Sequence, residues 1–214
     1  MYDGVIFDKD GVLLDSGLNG FRWMDRVRVK QASKHNVDFD VKEATVIGKG
    51  SEEDILELLD RKGLSFEKLL EIENGVQAAK RQMIREGYIR LFPGAHRVLS
   101  QVDAAGLATN APRETTEFTV DFFGLDKHFD VVKSVALEEG EFFKRRKPRA
   151  VMLEEVMDEL SFENPVMVGD TSADVHAAQN AGIDSILVES YHESNGLNPT
   201  HRVRTVEEAL SILR

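Results

Sequence analysis

The chain contains no cysteine. That absence excludes a disulfide framework, a thiolate metal site and a cysteine nucleophile together. Long apolar runs are missing as well, and nothing approaches the roughly 20 consecutive apolar residues that a membrane-spanning helix needs. Positive charge is scarce: 27 Lys and Arg stand against 38 Asp and Glu, a formal net charge of −11. Binding along a nucleic-acid backbone needs clustered Lys and Arg, so nucleic acid is not expected as a partner. Met1-Tyr2-Asp3-Gly4 lacks the basic stretch of a secretory signal, and the expected location is cytoplasmic. What is present is 214 residues, 42% of them hydrophobic. This is ample for one domain, or for a core with one sizeable insertion.

Short runs that are apolar at every position and end in polar residues read as strands buried on both faces. Val5-Ile6-Phe7 enters Asp8, Val166-Met167-Val168 enters Gly169-Asp170, Ile186-Leu187-Val188 is a third, and Val131-Val132 a weaker fourth. Helical patterns lie between them. Residues 113–123 end at Gly124, and residues 172–181 are Ala-rich and end at Gly182. Pro148 is expected at the first position of a helix running to about Leu160, and Phe122 and Phe123 as core. Thr205 with Glu208 reads as a capping box ahead of a last helix. Strands alternating with helices imply an α/β fold with a parallel sheet and helices on both faces.

Residues 15–92 break that rhythm, with helical periodicity and no convincing strand. Leu18, Phe21, Met24 and Val27 mark one amphipathic face. Ser51 with Asp54 caps a helix carrying Ile55, Leu58 and Leu59, and Ser65 opens another carrying Leu69, Ile72, Val76, Ala79 and Met83. The expected division is an α/β core over 1–14 and 93–214 with an inserted all-helical subdomain over 15–92.

Two carboxylates, Asp8 and Asp10, stand at the end of the first strand. Ligands of open parallel sheets bind at the carboxyl ends of strands. A carboxylate pair there suits a divalent cation, or one nucleophile and one general acid/base; alone, it equally suits a polar turn. Gly169-Asp170-Thr171-Ser172-Ala173-Asp174 repeats the arrangement, with Asp174 able to point back from the first turn of a helix, although Asp170 to Ser172 could simply cap that helix. About four carboxylates gathered at neighbouring strand ends repel one another unless a cation joins them, and Mg²⁺ is the natural occupant. Lys147 precedes a helix start and is the candidate phosphate-binding cation, against the alternative of a solvated run with Lys144, Arg145, Arg146 and Arg149. Thr109-Asn110 occupies another possible strand end, where hydroxyl and N–H groups can bind phosphoryl oxygens.

Asp8-Lys9-Asp10-Gly11-Val12, Thr109-Asn110, Lys147-Pro148 and Gly169-Asp170 with Asp174 together resemble, in order, the four motifs of the haloacid dehalogenase (HAD) superfamily. The resemblance spans nearly the whole chain, and is strongest to the branch of phosphoglycolate phosphatase and β-phosphoglucomutase, with the helical insert placed as a C1 cap. It implies a Rossmann-like HAD core and an enzyme: a Mg²⁺-dependent phosphatase acting on a small phosphorylated metabolite. In that scheme Asp8 forms an aspartyl-phosphate, and Asp10 protonates the leaving oxygen and then activates water. Asp8, Asp170, Asp174 and the backbone carbonyl of Asp10 hold or support the metal, and Thr109 and Lys147 hold the phosphoryl group. Asn110 and Lys49, in the glycine-flanked segment Gly48-Lys49-Gly50-Ser51, complete the expected substrate contacts; an ordinary turn explains that segment equally well. One departure stands out: only Leu107 and Ala108 separate Gly106 from Thr109, where relatives carry about five apolar residues.

Three alternatives remain open at this level. A sugar-phosphate mutase of the same superfamily would return the phosphoryl group to substrate, so release of free phosphate without a bisphosphate activator separates it from a phosphatase. A phospho-acceptor signalling domain also clusters Asp, Thr, Lys and Mg²⁺, but the helical insert and the Asp8/Asp10 pair argue against it. A non-catalytic binding relative is the third. The substrate, and the oligomeric state, are not readable from the sequence.

Overall fold

The computed structural model describes residues 2–17, 22–138, 142–191 and 196–213. Leu18 and Phe21 lie outside the described residues. Six parallel strands form one sheet in the order β5-β4-β1-β6-β7-β8: β1 (Gly4–Phe7), β4 (Ala105–Pro112), β5 (Val131–Val135), β6 (Pro165–Gly169), β7 (Asp184–Val188) and β8 (His201–Val203). This is the expected Rossmann-like α/β architecture, a parallel sheet flanked by helices. All four residues of β1 are buried, because β4 and β6 pair with its two edges and helices cover both faces. The period of two splits the strand between layers. Val5 and Phe7 pack with Leu107, Val166, Val168 and Ile186, whereas Ile6 packs with Ala108, Met167, Met152 and Val156.

The segment before Thr109 forms a full strand. Val5 pairs with Ala105, Ile6 with Gly106 and Phe7 with Leu107, so β4 lies in register beside β1. Its small residues are a packing requirement: a Cβ on Gly106 would sit 2.3 Å from Val156 Cγ1, on helix α8 (Val151–Leu160). A strand built from Ala and Gly for close helix contact lacks the branched apolar residues that make strands visible in sequence.

Between β1 and β4 the insert contains α1 (Arg22–Lys34), α2 (Val41–Lys49), α3 (Glu52–Lys62) and α4 (Phe66–Arg85). Ser51 and Asp54 form the expected capping box on α3, and Ser65 caps α4. Ile47, Ile55, Leu58, Leu59, Leu69 and Ile72 give the insert its own apolar cluster. Both chain crossings into the insert pair as an antiparallel ribbon, β2 (Leu14–Asp15) with β3 (Arg90–Leu91). Two-residue strands have no period to detect, so the sequence shows no sign of them.

Three local expectations are corrected. The helix after Lys147 starts at Val151, because Asn110 Oδ1 accepts from the Lys147 backbone N–H at 2.7 Å and holds this segment at the end of β4; the Lys147–Pro148 bond is cis. Phe122, on α6 (Arg113–Phe122), is 46% exposed, since the buried face of that helix is Thr115, Thr116, Thr119 and Val120. Thr205 caps a 3₁₀ turn (Val206–Ala209) leading into the last helix, and the Glu208 carboxylate accepts from the Arg204 N–H instead of closing the box.

Candidate active site

The ends of β4, β1 and β6 lie side by side and deliver Thr109, Asp8 and Asp170 to one place. Asp174 reaches the same place from the third position of α9 (Ser172–Ala181). Its Oδ2 accepts from the N–H groups of Asp170 (3.2 Å) and Thr171 (3.0 Å) and from the Thr171 hydroxyl (2.7 Å), which fixes the carboxylate. One carboxylate oxygen from each of Asp8, Asp170 and Asp174 lies within 4.8 Å of the other two. Two glycines make this approach possible. A Cβ on Gly11, whose φ is +89°, would fall 2.0 Å from Asp170 Oδ2, and one on Gly169 would fall 2.2 Å from Asp174 Cβ.

Lys147 fills the opposite side of the cluster and is 4% exposed. Its Nζ donates to Asp8 Oδ1 (2.8 Å) and to the Ala108 carbonyl (2.7 Å), and lies 2.5 Å from Asp174 Oδ1. Burial alone would lower the Lys147 pKa; Asp174 and Asp8 outweigh it and hold the ammonium above its ordinary value. The carboxylates respond in the other direction. Burial raises the pKa of Asp8 against the pull of Lys147, with Asp174 and Asp10 adding to the rise. Burial and the charges of Asp174 and Asp8 push Asp170 well above the usual carboxylate range. One lysine does not balance three clustered carboxylates, of which Asp8 and Asp174 are buried and Asp170 half-buried, and Asp170 Oδ1 is a buried atom with no hydrogen-bond partner. An unpartnered buried oxygen in an all-oxygen donor set fits a hard divalent cation such as Mg²⁺.

Asp10 is engaged differently. Lys9 Nζ donates to its Oδ2 at 2.7 Å and Lys80 Nζ, from α4, to its Oδ1 at 2.5 Å. Burial would raise the Asp10 pKa, but Lys80 and Lys9 outweigh it and hold the carboxyl well below its ordinary value. Burial pulls Lys80 down to about 8, against the attraction of Asp10. Neither lysine is a site candidate on the sequence. Lys9 has no periodic context, yet Lys80 carries a signal: it lies four residues after Val76 on the buried stripe of α4, where an apolar residue belongs.

Thr109 is buried, and its Oγ1 accepts from the Ala111 N–H at 3.2 Å. Asn110 uses both ends of its amide on the Lys147 backbone, with Nδ2 donating to the carbonyl at 3.0 Å and Oδ1 accepting from the N–H at 2.7 Å. Lys49 sits in the last turn of α2 with its side chain exposed. The insert touches the strand ends nearby as well, since Arg146 Nη2 donates to the Gly48 carbonyl at 3.4 Å. Trp23 packs against Leu14, Ile84 and Ile89, and its Nε1 donates to the Ser16 carbonyl.

The model of the haloacid dehalogenase-like hydrolases matches residues 2–182. The chain belongs to this family. It is 25% identical to a phosphoglycolate phosphatase of Vibrio parahaemolyticus, over 98% of this chain and 95% of the relative. It is 33% identical to the pyrophosphatase PpaX of Halalkalibacterium halodurans, where the match spans about half the length of each chain. Among solved structures, a haloacid dehalogenase-like family hydrolase from Streptococcus pneumoniae superposes with a TM-score of 0.74 at 17% identity, covering 100% of this chain and 99% of the other. A HAD-superfamily hydrolase of subfamily IA from Geobacter sulfurreducens gives 0.62 at 18% identity, covering 100% and 97%. At these identities the structures speak for the fold, and the whole-length likeness includes the helical insert. In this HAD-family hydrolase, Asp8, Lys147, Asp170 and Asp174 meet in one strand-end cluster. No helix among the described residues is long and apolar enough to cross a membrane.

Proposed function

We propose that the chain is a Mg²⁺-dependent phosphatase that hydrolyses a small phosphate ester through an aspartyl-phosphate, with a core over 1–14 and 93–214 and a cap over 15–92. The observation that carries this reading is the cluster of Asp8, Asp170 and Asp174, its unpartnered Asp170 Oδ1, and Lys147 Nζ 2.8 Å from Asp8. Asp8, Asp170, Asp174 and the Asp10 carbonyl would hold the cation, which when bound offsets the charge of the transferring phosphoryl group.

Asp8 attacks phosphorus, the bond from phosphorus to the leaving oxygen breaks, and that oxygen takes a proton from Asp10. Asp10, left as a carboxylate, then takes a proton from water. The water oxygen bonds to phosphorus, the bond to Asp8 breaks, and inorganic phosphate departs. Lys147 holds phosphoryl oxygens throughout, and Thr109 lines the same pocket. Lys9 and Lys80 favour the carboxylate form of Asp10 in the resting site, so the proton that Asp10 gives the leaving oxygen enters with the monoanionic form of the phosphate ester, and the carboxylate is again the form needed in the second half-reaction. Movement of the cap would admit the substrate and then water.

Phosphate release from a panel of phosphate esters, with and without Mg²⁺, tests the proposal. The expected result is Mg²⁺-dependent release that falls about a thousandfold or more in Asp8→Asn. Release that persists in Asp8→Asn would refute the mechanism.

A further inference from the structure

Lys147 is tied to β4 at both ends of the residue. Its Nζ donates to the Ala108 carbonyl at 2.7 Å. Its backbone is held by the Asn110 side chain, with Nδ2 donating to the Lys147 carbonyl at 3.0 Å and Oδ1 accepting from the N–H at 2.7 Å. A donor opposite a carbonyl and an acceptor opposite an N–H admit one orientation of the amide only. The side chain therefore offers what a neighbouring strand would offer, and satisfies the backbone of a buried residue that lies ahead of α8. The sequence places Asn110 among the substrate contacts, yet both its oxygen and its nitrogen are engaged by the chain.

The residues around Lys147 are drawn in two directions. Arg146 Nη2 donates to the Gly48 carbonyl at 3.4 Å, and Arg149 Nη2 donates to Glu52 at 3.0 Å, so both flanks reach the insert. From the core side, Asn180 Nδ2 on α9 donates to the Pro148 carbonyl at 2.8 Å. A lysine stem is flexible, and its ammonium keeps its place only if the root of the side chain is fixed. Lys147 Nζ has to stay beside Asp8, 2.8 Å away, where a misplacement of about 1 Å can cost about a hundredfold in rate. We propose that Asn110 is a positioning residue that acts through Lys147. It fixes the lysine on β4, the strand that also carries Thr109, so the two groups that hold the phosphoryl group stay one unit while the insert opens and closes. This role rests on the phosphatase reading above, in which Lys147 holds phosphoryl oxygens, and deepens it by naming the residue that keeps the lysine in place.

Asn110 Nδ2 retains a second N–H, so the test has to separate action through Lys147 from a direct contact with substrate. A double-mutant cycle on kcat/KM does so, in the full-length protein with Mg²⁺. The probe is p-nitrophenyl phosphate, whose leaving group departs without a proton from Asp10 and so reads the phosphoryl contacts. If it is not turned over, the fastest ester of the panel replaces it. Asn110→Ala should lower kcat/KM about a hundredfold, and Lys147→Ala about a thousandfold. The double variant should match Lys147→Ala to within about threefold, because Asn110 then has nothing left to position. Asn110→Ser carries the same cycle if the alanine variant does not fold. Calorimetric binding of orthovanadate, a mimic of the phosphoryl group, carries it if Lys147→Ala releases no measurable phosphate. A double variant that loses the full product of the two factors, or an Asn110→Ala variant as active as the wild type, would overturn the assignment. A wild type inactive on the whole ester panel would instead overturn the phosphatase reading itself, so the two failures are distinguishable.

Discussion

Two groups of buried charge lie in this molecule, one inside the insert and one at the strand ends, and they are built on opposite terms. In the insert, Arg28 is 2% exposed and fully met: Nε and Nη2 donate to Glu73 at 2.5 and 3.1 Å, and Nη1 donates to Asp25 and to the Ala44 carbonyl. Asp25 in turn accepts from the Thr45 hydroxyl. Glu73 and Asp25 outweigh the burial that would lower the Arg28 pKa, and hold it above its ordinary value. At the strand ends, the one lysine pairs with Asp8 and Asp174, and the third carboxylate of the cluster, Asp170, has an Oδ1 without a partner. The lesson is that satisfaction, more than burial, separates charge that holds a fold together from charge kept for chemistry. A closed network is complete without a visitor; an open one needs a cation and an anion to complete it.

Breaking the closed network should have the larger effect on stability. Arg28→Met leaves Glu73 and Asp25 buried without their counter-ion, and should cost about 3–5 kcal/mol in urea unfolding. Adding Glu73→Leu should recover most of that loss, because the buried carboxylate goes with it. A single and double variant of equal stability would show that the network is not closed in this sense. At the strand ends the sign reverses. Asp170→Asn removes a desolvated, repelled charge and should stabilise the metal-free protein by about 1–2 kcal/mol, read as a higher melting temperature in EDTA. A lower one would mean that Asp170 is a structural residue like Arg28.

The two regions were not equally legible in the sequence. Asp8, Asp10, Asp170 and Asp174 are visible because strand ends with glycine turns are local patterns, and the structure brings Asp8, Asp170 and Asp174 together. Lys147 stands out from its charged neighbours only through the Pro148 that follows it and through the family resemblance, and the helix that Pro148 suggested starts instead at Val151. The strand ahead of Thr109 is obscured by Gly106 and its small neighbours, chosen for contact with Val156. Pro148 follows a tertiary demand, the clamp of Asn110 on Lys147, that no helix-start rule contains. Lys80 meets Asp10, 70 residues away, and Arg28 meets Glu73, 45 residues away, distances over which spacing carries no information, although the Arg28–Asp25 pair is local. Their only trace is a charged residue on a buried helical face.

The central claim is that the strand-end cluster is built to hold a divalent cation, and stability against pH tests it most directly. Asp8 and Asp170 have folded-state pKa values above those of the unfolded chain. The native state therefore binds protons that the unfolded chain does not, and this contribution is lost as pH rises through the folded-state values. Melting temperatures should be measured from about pH 7.5 down to about pH 5.5, in EDTA and in saturating Mg²⁺, above the ordinary carboxylate range where Asp10 would add its opposite effect. Groups away from the site contribute to both curves, so their difference isolates the cluster. The predicted result is a higher melting temperature in Mg²⁺ at the upper end, with a gap that closes as pH falls. Coincident curves across the whole range would contradict the account.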